Sequence, residues 1–177
     1  MTSDTVKKYC AAHAAIADDL ASLATLKTST TEQLAKLEGS FDFQKRSGLA
    51  VIAESRVVRD LLPARIEQRE ADLAQAEVEV MTATNAFISA TLGPRRRVLE
   101  DRIRESVRRE LAAHFRAPEE LNLAVDRSAK VVEVLEIWAT LDNRPLGGAI
   151  KFAERMLGYE LQIEKLEKTI RSEAVPA

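Results

Sequence analysis

Ala149, Phe152, Met156, Tyr159, Ile163, Leu166 and Ile170 alternate steps of three and four along the last stretch of the chain. That spacing holds one apolar seam on one side of an α-helix, the pattern that drives helices to pair lengthwise. The same rhythm recurs twice upstream. Val6, Tyr9, His13, Ile16, Leu20 and Leu23 follow it, and after a polar gap Leu34, Leu37 and Phe41 return in register. Leu62, Ile66, Arg69, Leu73, Ala76, Val80, Ala83, Phe87 and Ala90 follow it with one charged exception. Three such segments predict an all-α fold, an elongated helical bundle with long antiparallel coiled-coil hairpins.

Length and composition agree with that class. A chain of 177 residues is expected to form a single elongated helical unit over 1–177. Hydrophobic residues at 46% and charged residues at 31% suit a packed core rather than a disordered tail. The 26 basic and 28 acidic residues nearly cancel, so no global charge draws the chain to nucleic acid or an anionic membrane. Cys10 is the only cysteine, which excludes an intramolecular disulfide and a cysteine zinc cluster. His13, Asp18 and Asp19 interrupt any signal-like apolar core near the N-terminus, and no run approaches the ~20 apolar residues that span a bilayer. The expectation is a cytoplasmic protein that does not contact membrane.

Glycine and proline punctuate the chain at Gly39, Gly48, Gly93, Pro94, Pro118, Pro145, Gly147 and Gly148. Helices are therefore expected near 4–38, 48–92, 94–116, 118–141 and 148–172. Two internal sites leave alternatives open. Lys27 to Thr31 is rich in weak helix formers, and Ser29 with Glu32, or Thr30 with Gln33, would make a capping box that restarts the helix. Pro63 inside a helix costs about 3 kcal/mol, so a break with Pro63 opening a new helix is favoured. Lys130–Trp138 is dense in β-branched residues, yet Leu121, Val125, Ser128, Val132, Leu135 and Trp138 keep helical spacing. Helix is favoured there over strand, and with Val131, Val134 and Ile137 it should be the central, most buried element. Leu157 and Leu161 likewise widen the seam of the last helix.

Tests for chemistry return little. His13 and His114 are the only histidines, and neither stands three residues after a glutamate as helical di-iron sites require. Cys10 and His13 share a helix face, but no oxyanion site or cleft signal accompanies them. No glycine-rich phosphate loop occurs. The chain is thus not expected to be an enzyme, and no cofactor or metal is implied.

Eight arginines crowd the 95–116 stretch. Arg95, Arg102, Arg109 and Arg116 are spaced by sevens and form one ribbon, with Arg96 and Arg97 beside its start. Leu99, Ile103, Val107, Leu111 and Phe115 form the apolar stripe between this ribbon and a second one of Arg97, Arg104 and Arg108. Such ribbons suit phosphates or acidic residues of a neighbouring helix. Glu100 with Arg104, and Glu105 with Arg109, have the spacing to dilute the charge locally. A turn at Gly93-Pro94 would fold the acidic 64–92 stretch, with Glu77 and Glu79, against Arg102 and Arg109. A second candidate is the glycine-flanked segment carrying Phe41, Phe43, Lys45 and Arg46, aromatic and cationic residues that suit a protein partner.

The function expected from these observations is coiled-coil assembly, through contacts of the chain with itself or with protein partners, as a homo-oligomer. Met156 and Ile163 of the last seam are the expected self-association face. The alternative is a nucleic-acid-associated helical protein that uses the Arg95–Arg116 basic helix. Both classes remain open at this level.

Overall fold

The structure of the chain, a computed structural model, describes residues 1–40, 48–142 and 147–173. Ser3–Gly39 forms α1 and Leu49–Phe87 forms α2. Ile88–Leu92 is a π-helical turn, Gly93–Leu111 forms α3, and Ala112–His114 is a 3₁₀ turn. Pro118–Asp126, Ala129–Asp142 and Gly148–Glu173 form α4, α5 and α6. No strand occurs among the described residues, and the chain is all-α. It clusters into two compact units, Met1–Lys7 with Val80–Ala177, and Lys8–Glu79.

The Lys8–Glu79 unit buries Leu23, Thr30 and Leu34 of α1 with Ile52, Leu62 and Ala76 of α2. α1 does not restart near Thr28. Ser29, one of the two cap candidates, bonds backwards instead, to the Leu26 carbonyl at 3.1 Å, and its neighbours do the same: Thr28 to Ala24 at 3.2 Å and Thr31 to Lys27 at 2.7 Å. Such bonds satisfy the hydroxyl inside a continuing helix and remove the drive to cap a new one. α2 likewise runs through Pro63, against the expected break. Buried seam residues lie on both sides of it, Ile52 and Leu62 before and Ala76 after, and at about 1.5–3 kcal/mol for each of the two larger side chains their burial offsets one lost backbone bond. At Gly48 the backbone takes φ 96°, the left-handed conformation that glycine adopts without penalty, and its carbonyl accepts the first bond of α2 from Ile52 at 3.0 Å.

In the other unit α3 is the hub, touching α4, α5 and α6. This corrects the expectation that the Lys130–Trp138 helix is the central element. α5 does bury Val131, Val134 and Trp138, but Val132 and Leu135 of the expected stripe face outward. α6 buries Ala149, Ala153, Met156, Tyr159 and Ile163 inside its own unit, so Met156 and Ile163 are core residues and not a self-association face. Leu161, expected to widen that seam, is exposed.

The junction before α3 departs most from expectation. Phe87 (φ −65°, ψ −43°) and Gly93 (φ −61°, ψ −48°) both keep helical backbone. The Gly93 N–H donates to the Ile88 carbonyl five residues back, so Gly93-Pro94 makes no reversal. The hairpin that would set Glu77 and Glu79 against Arg102 and Arg109 therefore lacks its turn. Continuing the α2 seam past Phe87 by ordinary turns would bring in Ala90 and Val98, yet both are exposed. The residues buried are Leu92, Leu99, Ile103 and Val107, one position out of phase. A π turn is an α turn with one residue added, and that residue carries the seam from one phase to the other. A β-carbon at Gly93 would lie 3.3 Å from the Ile88 carbonyl, which explains a glycine inside a helix.

Two further boundaries move. α4 and α5 separate at Arg127-Ser128, where the Ser128 hydroxyl accepts the Val131 N–H at 3.4 Å and so caps α5. The arginine helix ends at Leu111 and not at 116. Phe115 is extended (φ −127°, ψ 131°), as is Ala117 ahead of Pro118, because a residue before proline is pushed out of helical geometry.

Candidate interaction surfaces

α3 lifts its arginines off an apolar stripe of Leu99, Ile103 and Val107, all buried. Arg95 reaches α6. Its Nε and Nη2 donate to the two carboxylate oxygens of Glu167 at 3.3 and 3.0 Å, and its Nη1 lies 3.4 Å from Glu160. The two-pronged bond to Glu167 raises the Arg95 pKa further above its ordinary value, against a smaller lowering by burial. Arg96 turns to a different set. Its Nε donates to Glu100 at 2.9 Å, its Nη1 to the Tyr159 hydroxyl at 3.2 Å, and its guanidinium sits 5.4 Å from the centre of the Trp138 ring. Tyr159 packs edge-on against Trp138 at 4.9 Å. An arginine over one ring, bonded to the hydroxyl of a second and to a carboxylate, gains cation–π energy beside its charge-assisted hydrogen bonds.

The remaining basic groups divide into satisfied and solvent-facing ones. Arg104 pairs with Asp126, Arg108 donates to Asn122 at 2.9 Å, and Lys130 meets Glu110 at 3.0 Å. These bonds tie α3 to α4 and α5. Arg109 lies 3.6 Å from Glu105, as its four-residue spacing suggested, while Glu100 takes Arg96 and not Arg104. Arg97, Arg102 and Arg116 are exposed and form no ion pair with described residues. Arg97 and Arg102 stand five residues apart, roughly 140° around the helix. Arg116 is off the helix altogether. The ribbon of sevens therefore does not present one continuous cationic face. Phe41, Phe43, Lys45 and Arg46 lie outside the described residues.

Concave sites are slight. The crevice between α3 and α5, lined by Glu100, Ile103 and Val134, holds about 10 Å³, room for one water. A shallow groove of about 520 Å³ in the other unit is lined by Ala24, Lys27, Thr28, Thr31, Glu32 and Ile66. Its threonine hydroxyls already bond to the α1 backbone. Among the described residues no three histidine, cysteine, aspartate or glutamate side chains gather to hold a metal ion, and no helix is long and apolar enough to cross a membrane.

What the sequence reading missed is an apolar surface on the first half of α2. Val51, Val57, Val58 and Leu61 are all exposed, Leu61 by 64%. The buried seam of α2 reaches back to Ile52, and these residues lie beside it. The signal was present as a second heptad one position earlier than the first. Against known proteins, no family model, no curated relative and no solved structure matches this chain.

Proposed function

We propose that the chain is a non-enzymatic coiled-coil assembly protein, acting through helix–helix contacts with itself or with protein partners. The observation that carries this reading is the uncovered aliphatic surface of α2, on a helix whose adjacent seam is already buried. Contiguous exposed apolar surface on a soluble protein marks interaction sites. The Lys8–Glu79 unit supports it. α1 and α2 have 37 and 39 residues, and Arg69 of α2 meets Asp19 of α1 at 2.7 Å while Arg56 meets Glu38 with its Nε at 2.8 Å. Rising numbers in one helix meet falling numbers in the other, the sense of an antiparallel coiled-coil hairpin. Arg69, the charged exception in the α2 seam, thus finds an acid that fixes register.

The basic helix supports the same reading, because Arg95, Arg96, Arg104, Arg108 and Arg109 spend their charge on acids, an amide and rings of their own unit. A lone cysteine suits a reducing compartment such as the cytoplasm. The test is affinity capture with the full chain under native conditions, quantified by mass spectrometry, beside light scattering of the purified protein. The expected result is an oligomer or a protein partner held in stoichiometric amount. A monomer that retains nothing stoichiometrically refutes the reading.

A further inference from the structure

Every residue of the series Val51, Glu54, Val58, Leu61, Arg65 and Gln68 is exposed, and the series alternates steps of three and four. It is a second heptad seam on α2, about 100° from the buried one. The order of its residues is informative. About the midpoint between residues 59 and 60, Val58 mirrors Leu61, Glu54 mirrors Arg65, and Val51 mirrors Gln68. Each mirrored pair joins an a position to a d position, which is how layers form when two helices cross in opposite directions.

We propose that this seam docks a second copy of the chain, α2 against α2, antiparallel about a two-fold axis at residues 59–60. The proposal rests on the assembly reading above and adds to it the surface, the occupant and the register. In this arrangement Val58 and Leu61 of each copy form two central apolar layers. Glu54 of one copy meets Arg65 of the other at each end, giving two identical ion pairs. The contact is isologous, so it closes as a dimer. Charge selects the direction. A parallel pairing would oppose Glu54 to Glu54 and Arg65 to Arg65. Neighbouring charges do not compete, since Arg56 is taken by Glu38 and Arg59 by Asp60, whereas Glu54 and Arg65 have no ion pair with described residues.

Sedimentation equilibrium of the full chain tests this with Leu61→Glu, Glu54→Lys, Arg65→Glu and the double reversal Glu54→Lys with Arg65→Glu. Leu61→Glu places two carboxylates in the central layers and should raise the dimer Kd more than about 100-fold. Because Leu61 is exposed within the chain, its far-UV circular dichroism should stay that of the wild type. Each single reversal creates two like-charge contacts and should weaken the dimer about three- to tenfold, and the double reversal should return it to within about twofold. A monomeric wild type, or a dimer indifferent to Leu61→Glu, overturns the proposal. Single reversals without effect overturn the antiparallel register. An intact dimer in Leu61→Glu would leave assembly standing through another surface, whereas the capture experiment decides assembly itself.

Discussion

Deleting one residue should be tolerated at the π turn and ruinous inside α3. In Ala90 deletion combined with Pro94→Ala, Leu92 comes to stand four residues after Phe87 and Leu99 eleven, three full α turns. Leu92, Leu99, Ile103 and Val107 then stay on the buried face with no π turn to join the two phases. Ala90 is exposed, so its loss removes no core contact. Pro94→Ala accompanies it because, in the tightened turn, the proline ring would press on the carbonyl four residues back. Stability should stay within about 1 kcal/mol of the wild type. Deleting Asp101 instead turns everything after it by about 100°. Ile103 and Val107, now 8% and 3% exposed, leave the core. At about 1.5–3 kcal/mol for each buried aliphatic side chain, the loss is about 3–6 kcal/mol, much of the 5–15 kcal/mol that holds a typical domain together. Urea titration followed by tryptophan fluorescence suits the question, since Trp138 is the sole tryptophan and is fully buried in this unit. Equal losses in the two deletions would refute the idea that the π turn joins two out-of-phase seams.

The rings around Arg96 give a second expectation. Trp138 Nε1 is buried without a hydrogen-bond acceptor among the described residues, so Trp138→Phe should cost less than about 2 kcal/mol, against about 3–5 for Trp138→Ala, in denaturant titrations read by circular dichroism. Arg95→Met should lower stability by about 1–2 kcal/mol by removing the guanidinium that bridges the part-buried Glu160 and Glu167, while Arg102→Met should leave the unfolding midpoint unchanged. The stabilising effect of Arg95 should be equal at pH 6 and pH 9. A pKa raised on folding gives stability that is whole below the unfolded value and fades only as pH climbs through the folded one, far above that window. Changing Arg97, Arg102 and Arg116 together to Gln should make no difference to retention on immobilised DNA or RNA at low salt; a loss of salt-sensitive binding would restore the nucleic-acid reading.

Helix content was readable from spacing alone, because a three-four alternation has one physical solution at this length. Phase was harder. The seams running to Ala90 and beginning at Leu99 were each visible, but Ala90 is exposed, Gly93-Pro94 looked like a turn, and the extra residue between them is a property of the joined helix. The same limit hid Ser128, whose capping role depends on α4 ending at Arg127. The arginines were legible as a cluster and not as a site. Spacing by sevens put Arg95 and Arg102 on one ribbon, while Glu160 and Glu167, which separate them in role, lie 65 and 72 residues from Arg95. The exposed heptad of α2 was overlooked because Glu54 and Arg65 interrupt it, and an apolar count discards charged positions.

The hydroxyl run of α1 has a mechanical consequence. Ser22, Thr25, Thr28 and Thr31 each place a side-chain proton on a carbonyl four residues back, which must then share its lone pairs with the backbone N–H. Shared acceptors loosen a helix and let it bend. α1 is therefore a rod of uneven stiffness, compliant over about three turns and firmer where Ala11 to Ile16 offer no such competition. A long helix with one pliant stretch can follow the curve of a neighbour while its seam stays in contact.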